Sequence, residues 1–137
     1  MTDRVVVAPG VRRAYAILTG ITTLFVFVQF FTSGEFIGAH GDAAESWKTV
    51  HGLTAYGLLV PALLAAVLAV VALRRAAPVL TGVAVALLAT AVGQTATGQL
   101  ISGSHLDGLT PFHVLLAAAV LSLAVWASIR SAALRRG

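Results

Sequence analysis

Four long apolar runs, separated by short polar connections, set the pattern of this chain. They lie at about 12 to 37, 49 to 73, 78 to 102 and 111 to 133, and each suffices for a helix crossing a hydrocarbon layer about 30 Å thick, which takes roughly 20 residues. Inside such a layer a segment must satisfy its own backbone polar groups, which helices do. The expected fold is therefore all-α: an integral membrane four-helix bundle, residues 1–137 forming a single domain with no room for a soluble one. The polar start of Met1 to Gly10, with no small-residue cleavage site after the apolar run behind it, predicts that the first helix stays in place as an anchor.

Within the runs, polar and small residues recur at helical spacing. Gln29 and Ser33 share a face of the first helix, and Gly34 and Gly38 form a small-residue ridge that predicts close helix packing. Asp42-Ala-Ala-Glu45 resembles a capping pair, so the second helix is expected to start near Ala43, pass Trp47 at headgroup level and bend at Pro61. The short turn from Arg74 to Pro78 makes helices two and three antiparallel neighbours. The third helix is the least oily. Gln94, Thr97, Gly98 and Ile101 make a stripe that hydrocarbon would penalise, so it is expected to face the bundle interior or a ligand. Thr110-Pro111 reads as a hydroxyl cap followed by proline at the first helical position, placing His113 in the first turn of helix four.

The connection between helices one and two has an echo between helices three and four. Overlaid without a gap, Gly34 falls on Gly98, Glu35 on Gln99, Phe36 on Leu100 and Ile37 on Ile101. A loop histidine follows in each copy, His40 and His105, and another opens the next apolar run, His51 and His113, which accounts for all four histidines. The bundle is thus expected to consist of two repeated helical hairpins.

Composition sets the solvent. With 58% apolar and 10% charged residues, the chain belongs to a bilayer rather than to water. Arg4, Arg12, Arg13, Arg74, Arg75, Arg130, Arg135 and Arg136 all fall on one side, and Lys48 is the one basic residue on the other. The positive-inside rule then places both termini in the cytoplasm and the histidines at the outer face. The net charge of +4 is accounted for by these topology determinants, which also meet anionic lipid, and no nucleic-acid partner is expected. The absence of cysteine excludes disulfides, thiolate ligands, iron–sulfur clusters and a cysteine nucleophile. Abundant Ala, Val, Leu and Arg with a single Lys fit a GC-rich bacterial genome, hence a bacterial cytoplasmic membrane.

Alternate helices of a four-helix bundle face one another across its core, where such bundles place cofactors. His51 and His113, at similar depth on helices two and four, are therefore candidate axial ligands for haem iron. Gly52, Ala55 and Ala117 leave room for a flat macrocycle. Gln94, Gln99 and Glu35 are candidates to orient a ring N–H, and Lys48, one turn before His51, to meet a propionate, aided by Ser102, Ser104 and Thr110.

A helix rich in Gln, Gly and Thr, a short outer loop, then a histidine opening an alanine- and leucine-rich helix is similar to one half of haem A synthase. The resemblance implies a four-helix unit with histidines on its second and fourth helices, matched by His51 and His113; the cofactor expected of such a pair is haem of b type. The chain has one unit where that family has two, no cysteine pair in its outer loop, and Lys48 where the resemblance leads one to expect a carboxylate. Electron transfer or haem handling, beside a redox partner, other membrane-complex subunits or a second copy of the chain, is the expectation rather than methyl oxygenation. If the chain is an enzyme, it is expected to be a haem-dependent oxidoreductase. Two other classes stay open: a cofactor-free structural or accessory subunit of a membrane complex, and an outer-face Zn or Cu site in which all four histidines, His40 and His105 among them, join Asp42, Glu45 and Asp107.

Overall fold

The structure, a computed structural model, describes residues 7–136, with side chains described through 133. Arg4 lies outside the described residues, as do the side chains of Arg135 and Arg136. Four helices follow one another: α1 (Pro9–Gly38), α2 (Asp42–Leu68), α3 (Pro78–Ser104) and α4 (Thr110–Arg136). Each is long and apolar enough to cross a membrane, α2 together with the π-helical turn Ala69–Leu73 that ends it. The chain is therefore an all-helical, multi-pass membrane bundle. In each case the helix outruns the apolar stretch read from the sequence, because intrahelical hydrogen bonding continues into polar flanks that a hydropathy pattern leaves out.

The helices form a ring in which α1 packs on α2 and α4, and α3 packs on α2 and α4. Hence α2 and α4 are diagonal. The ends of the bundle differ in chemistry. Arg12, Arg13, Arg74, Arg75 and Arg130 lie at the end where α1 begins and α4 finishes, the terminal end. The two connections bearing His40 and His105 lie at the other, the histidine end.

Small residues fill the interior while large apolar ones face outward. Ala65, Ala66, Ala69 and Ala84 pack with Tyr15, Leu73 and Leu80 near the terminal end, and Ala91 and Ala124 with Val26, Leu58, Leu87 and Val120 at mid-height. Leu24, Phe27, Phe31, Leu53 and Leu115 are exposed. Lipid competes for large side chains as well as a protein core does, so close approach of small ones decides which faces meet. Hydroxyls add to this seam: Thr19 Oγ1, buried, lies 3.2 Å from Ser131 Oγ, and Thr23 Oγ1, partly buried, lies 2.8 Å from Ser128 Oγ, joining α1 to α4. Tyr15, wholly buried, donates to Leu80 O across the bundle at 3.3 Å. Thr81 donates to Ala69 O at 3.2 Å, serving a carbonyl where the π-helical turn interrupts the α-helical pattern.

Several helix ends differ from what their local sequence signals predict. Asp42 does not cap α2: Gly41, at φ +57°, precedes the helix, no side chain caps it, and Asp42 and Glu45 lie in the first turn, where their charge favours the helix N-terminus. Thr110 is already helical at φ −54° and ψ −44°, because the 3₁₀ turn Asp107–Leu109 leads directly into α4. Gly34 and Gly38 touch nothing, since a Cβ on either would meet no atom within 4 Å. The close approaches fall elsewhere, at Gly57 against Phe25 and at Gly98 against His113. Pro61 is buried within α2.

His105 ends α3 in a left-handed conformation, φ 54°, with its N–H on Leu100 O. That geometry favours glycine and costs other residues about 1 kcal/mol or more. His105→Gly is therefore expected to raise stability by about 1 kcal/mol in denaturant titrations. A fall instead would show that the imidazole holds something.

Candidate functional site at the histidine end

His51, in the third turn of α2, and His113, the fourth residue of α4, stand at the same end of the diagonal pair. Both are half-buried. Each is held by the preceding helix of its own hairpin through a threonine. Thr32 Oγ1 lies 3.0 Å from His51 Nδ1, and Thr97 Oγ1 lies 3.0 Å from His113 Nδ1.

The hydroxyls also have backbone carbonyls within reach. Thr32 donates to Gln29 O at 3.1 Å, and Thr97 to Gln94 O at 2.9 Å. With the hydroxyl proton on that carbonyl each oxygen can accept, and we assign the ring proton of each histidine to Nδ1 on that basis. Nε2 of each ring is the lone-pair nitrogen. Thr32, 2% exposed, is the one fully buried residue among those described from 27 to 57 and from 92 to 119. The core is thus closed at the terminal end and half-open around the histidines.

A glutamine one turn earlier completes each set, and here the hairpins differ. Gln29 donates through Nε2 to His51 O at 2.9 Å and to Thr54 Oγ1 at 2.6 Å, fixing the backbone at the histidine and leaving its ring alone. Gln94 Nε2 instead lies 3.1 Å from His113 Nε2. An amide nitrogen can only donate, so His113 Nε2 accepts in this contact, and Gln94 Oε1 is left buried without a partner. Among the described residues no hydrogen bond reaches His51 Nε2. The His51 ring is steadied by Phe36, edge to face at 5.3 Å between centroids. His113 lies so close to α3 that a Cβ on Gly98 would come within 2.9 Å of its Cε1.

The corresponding contacts link Gln29 with Gln94 and Thr32 with Thr97, one residue out of step with the gapless overlay of Gly34 on Gly98. Sequence reasoning therefore found the polar stripe of α3 and both histidines but missed Thr32, and it paired Gln29 with Ser33, whose hydroxyl turns back to Phe30 O. The signal available was Gln-x-x-Thr, present once in α1 and once in α3.

The remaining candidates stand apart. Gln99 is exposed and contacts neither histidine, so the α3 stripe carries Gln94, Thr97 and Gly98 inward but not Gln99. Glu35 is half-buried on α1, with its carbonyl bonded by Ala39 N. Lys48 lies 3.7 Å from Glu45 in an exposed pair on one helix face, an arrangement worth well under 1 kcal/mol. His40 and His105 are exposed, and among the described residues no three His, Asp or Glu side chains converge on a point that would hold a metal ion.

Comparison with models of protein families, with curated proteins and with solved structures finds no match.

Proposed function

We propose that this chain is a small bis-histidine haem protein of the bacterial cytoplasmic membrane, with both termini inside and the histidine end outside, acting in electron transfer or haem handling. The observation that carries the reading is the shared state of the two imidazoles. On diagonal helices, at one end, each has its Nδ1 3.0 Å from a threonine hydroxyl, and with Nδ1 as the donor that arrangement supports the tautomer that offers Nε2 to a metal. No hydrogen bond among the described residues occupies His51 Nε2, and one neutral amide contact, from Gln94, occupies His113 Nε2.

The donor set fits haem iron, which takes two axial imidazoles, better than a tetrahedral Zn site, which requires more ligands than converge among the described residues. Bound haem of b type would supply a one-electron iron couple. The chain's own contribution is positional: Thr32 and Thr97 set the tautomers, Gln29 holds the backbone at His51, and Phe36 limits ring rotation. Lys48, Ser102, Ser104 and Thr110 are the groups available for propionates, the Lys48 pair with Glu45 being weak enough to exchange. The arrangement of arginines at the terminal end supports the orientation. The matching Gln-x-x-Thr and histidine sets support two repeated hairpins, and with them the likeness to one half of haem A synthase.

An absorption spectrum of protein purified in mild detergent from a haem-competent host tests the reading. A Soret band with sharp α and β bands after dithionite reduction is expected, and His51→Ala or His113→Ala should each abolish the six-coordinate signature. A featureless spectrum from folded protein at full haem supply overturns it.

A further inference from the structure

We infer that Gln94 is a displaceable cap on His113, so that haem is taken up by His51 first and by His113 second; this rests on the haem reading above. The two halves of the site agree in their threonines and differ in their glutamines. Gln29 spends its amide on His51 O and Thr54, leaving the His51 lone pair uncovered. Gln94 places its amide N–H on the lone pair that iron would take, Nε2 of His113, at 3.1 Å.

The cap is built to leave. Its other end, Oε1, is buried with no partner, a state that penalises the capped conformation and offsets much of what the N–H contact supplies. Rotation of the Gln94 side chain breaks one neutral hydrogen bond and exposes the His113 lone pair without moving either helix. Thr97 keeps hold of Nδ1 throughout, so the ring stays in its tautomer while Nε2 changes partner from an amide hydrogen to a metal. Gly98, with no side chain to clash with the ring, leaves His113 Cε1 its place against α3. Uncapped, His51 is the ready ligand. Capped, His113 covers its lone pair in haem-free protein, which also keeps a pre-formed pair of free imidazoles from taking a stray divalent ion.

Stopped-flow mixing of haem-free protein in detergent with haem b reads the order directly. Wild type is expected to pass through a high-spin, five-coordinate spectrum before the low-spin one. His113→Ala should load at the wild-type initial rate and stop at the high-spin stage. His51→Ala should load about tenfold more slowly, and adding Gln94→Leu to it should recover that factor, a single hydrogen bond being worth roughly this much in rate. Gln94→Leu or Gln94→Met alone should shorten the high-spin stage, and having two variants guards against one that folds poorly. Equal loading of the two histidine variants, or no rescue by Gln94→Leu, overturns the cap while leaving haem binding intact. Failure of folded wild type to take up haem at all removes the haem reading and the cap with it.

Discussion

Replacing Gly98 by valine is expected to destabilise the protein by about 1–3 kcal/mol and, on the haem reading proposed above, to abolish the low-spin spectrum, because the new side chain occupies the place of the His113 ring. Its Cβ alone would lie 2.9 Å from Cε1, 3.5 Å from Nδ1 and 3.8 Å from Nε2. The ring has nowhere to retreat to without breaking its bonds to Thr97 and Gln94, and α3 and α4 must separate to spare it. Gly34→Val is the matched control: its Cβ meets nothing within 4 Å, so stability should change by no more than about 0.5 kcal/mol and the spectrum should persist. Denaturation monitored by helical circular dichroism, beside the haem spectrum, separates the two. Equal behaviour of the two variants would show that His113 does not lie against α3.

Thr32→Val and Thr97→Val are expected to be the next most damaging, at about 1–3 kcal/mol each, since valine keeps the shape of threonine and removes the acceptor from an imidazole N–H. Thr32 should cost more than Thr97, being fully buried where Thr97 is half-buried. The same changes release the tautomer. Nitrogen NMR of labelled histidine should show the proton confined to Nδ1 in the wild type and shared with Nε2 once the hydroxyl is gone. Thr32→Ser and Thr97→Ser, which retain the acceptor, should hold the wild-type tautomer and most of the stability. If the valine and serine variants titrate alike, the hydroxyls do not govern the rings.

Much of this protein was legible from the pattern of its residues, and the limits of that legibility are physical. Apolar runs of membrane-spanning length, broken by Arg74-Arg75 and by the two loops that precede His51 and His113, could hardly be anything but four membrane helices. The cost of polar groups in hydrocarbon likewise sent Gln94 and Thr97 inward before any contact was known. Helix ends were less legible. Asp42 looks like a cap and is not one, because Gly41 at φ +57° already turns the chain into α2. The glycine ridge of α1 looks like a contact and is not one, because spacing names a face without saying whether a neighbour or lipid covers it.

The sequence by itself determined the number of helices, the segregation of arginines to one end and of histidines to the other, and the inward turn of the α3 stripe, since each follows from the cost of placing charge or backbone in hydrocarbon. Only the tertiary structure decided which partner each polar group found. Thr32 and Thr97 look like any other threonine in a membrane helix until the hairpins bring them to Nδ1 of His51 and His113. Gln29 and Gln94 look equivalent until one is seen on a backbone carbonyl and the other on an imidazole nitrogen. Hydropathy and periodicity act along one helix, whereas the partner of each polar side chain depends on distances of about 3 Å between helices, and those are set by how small residues let the backbones approach.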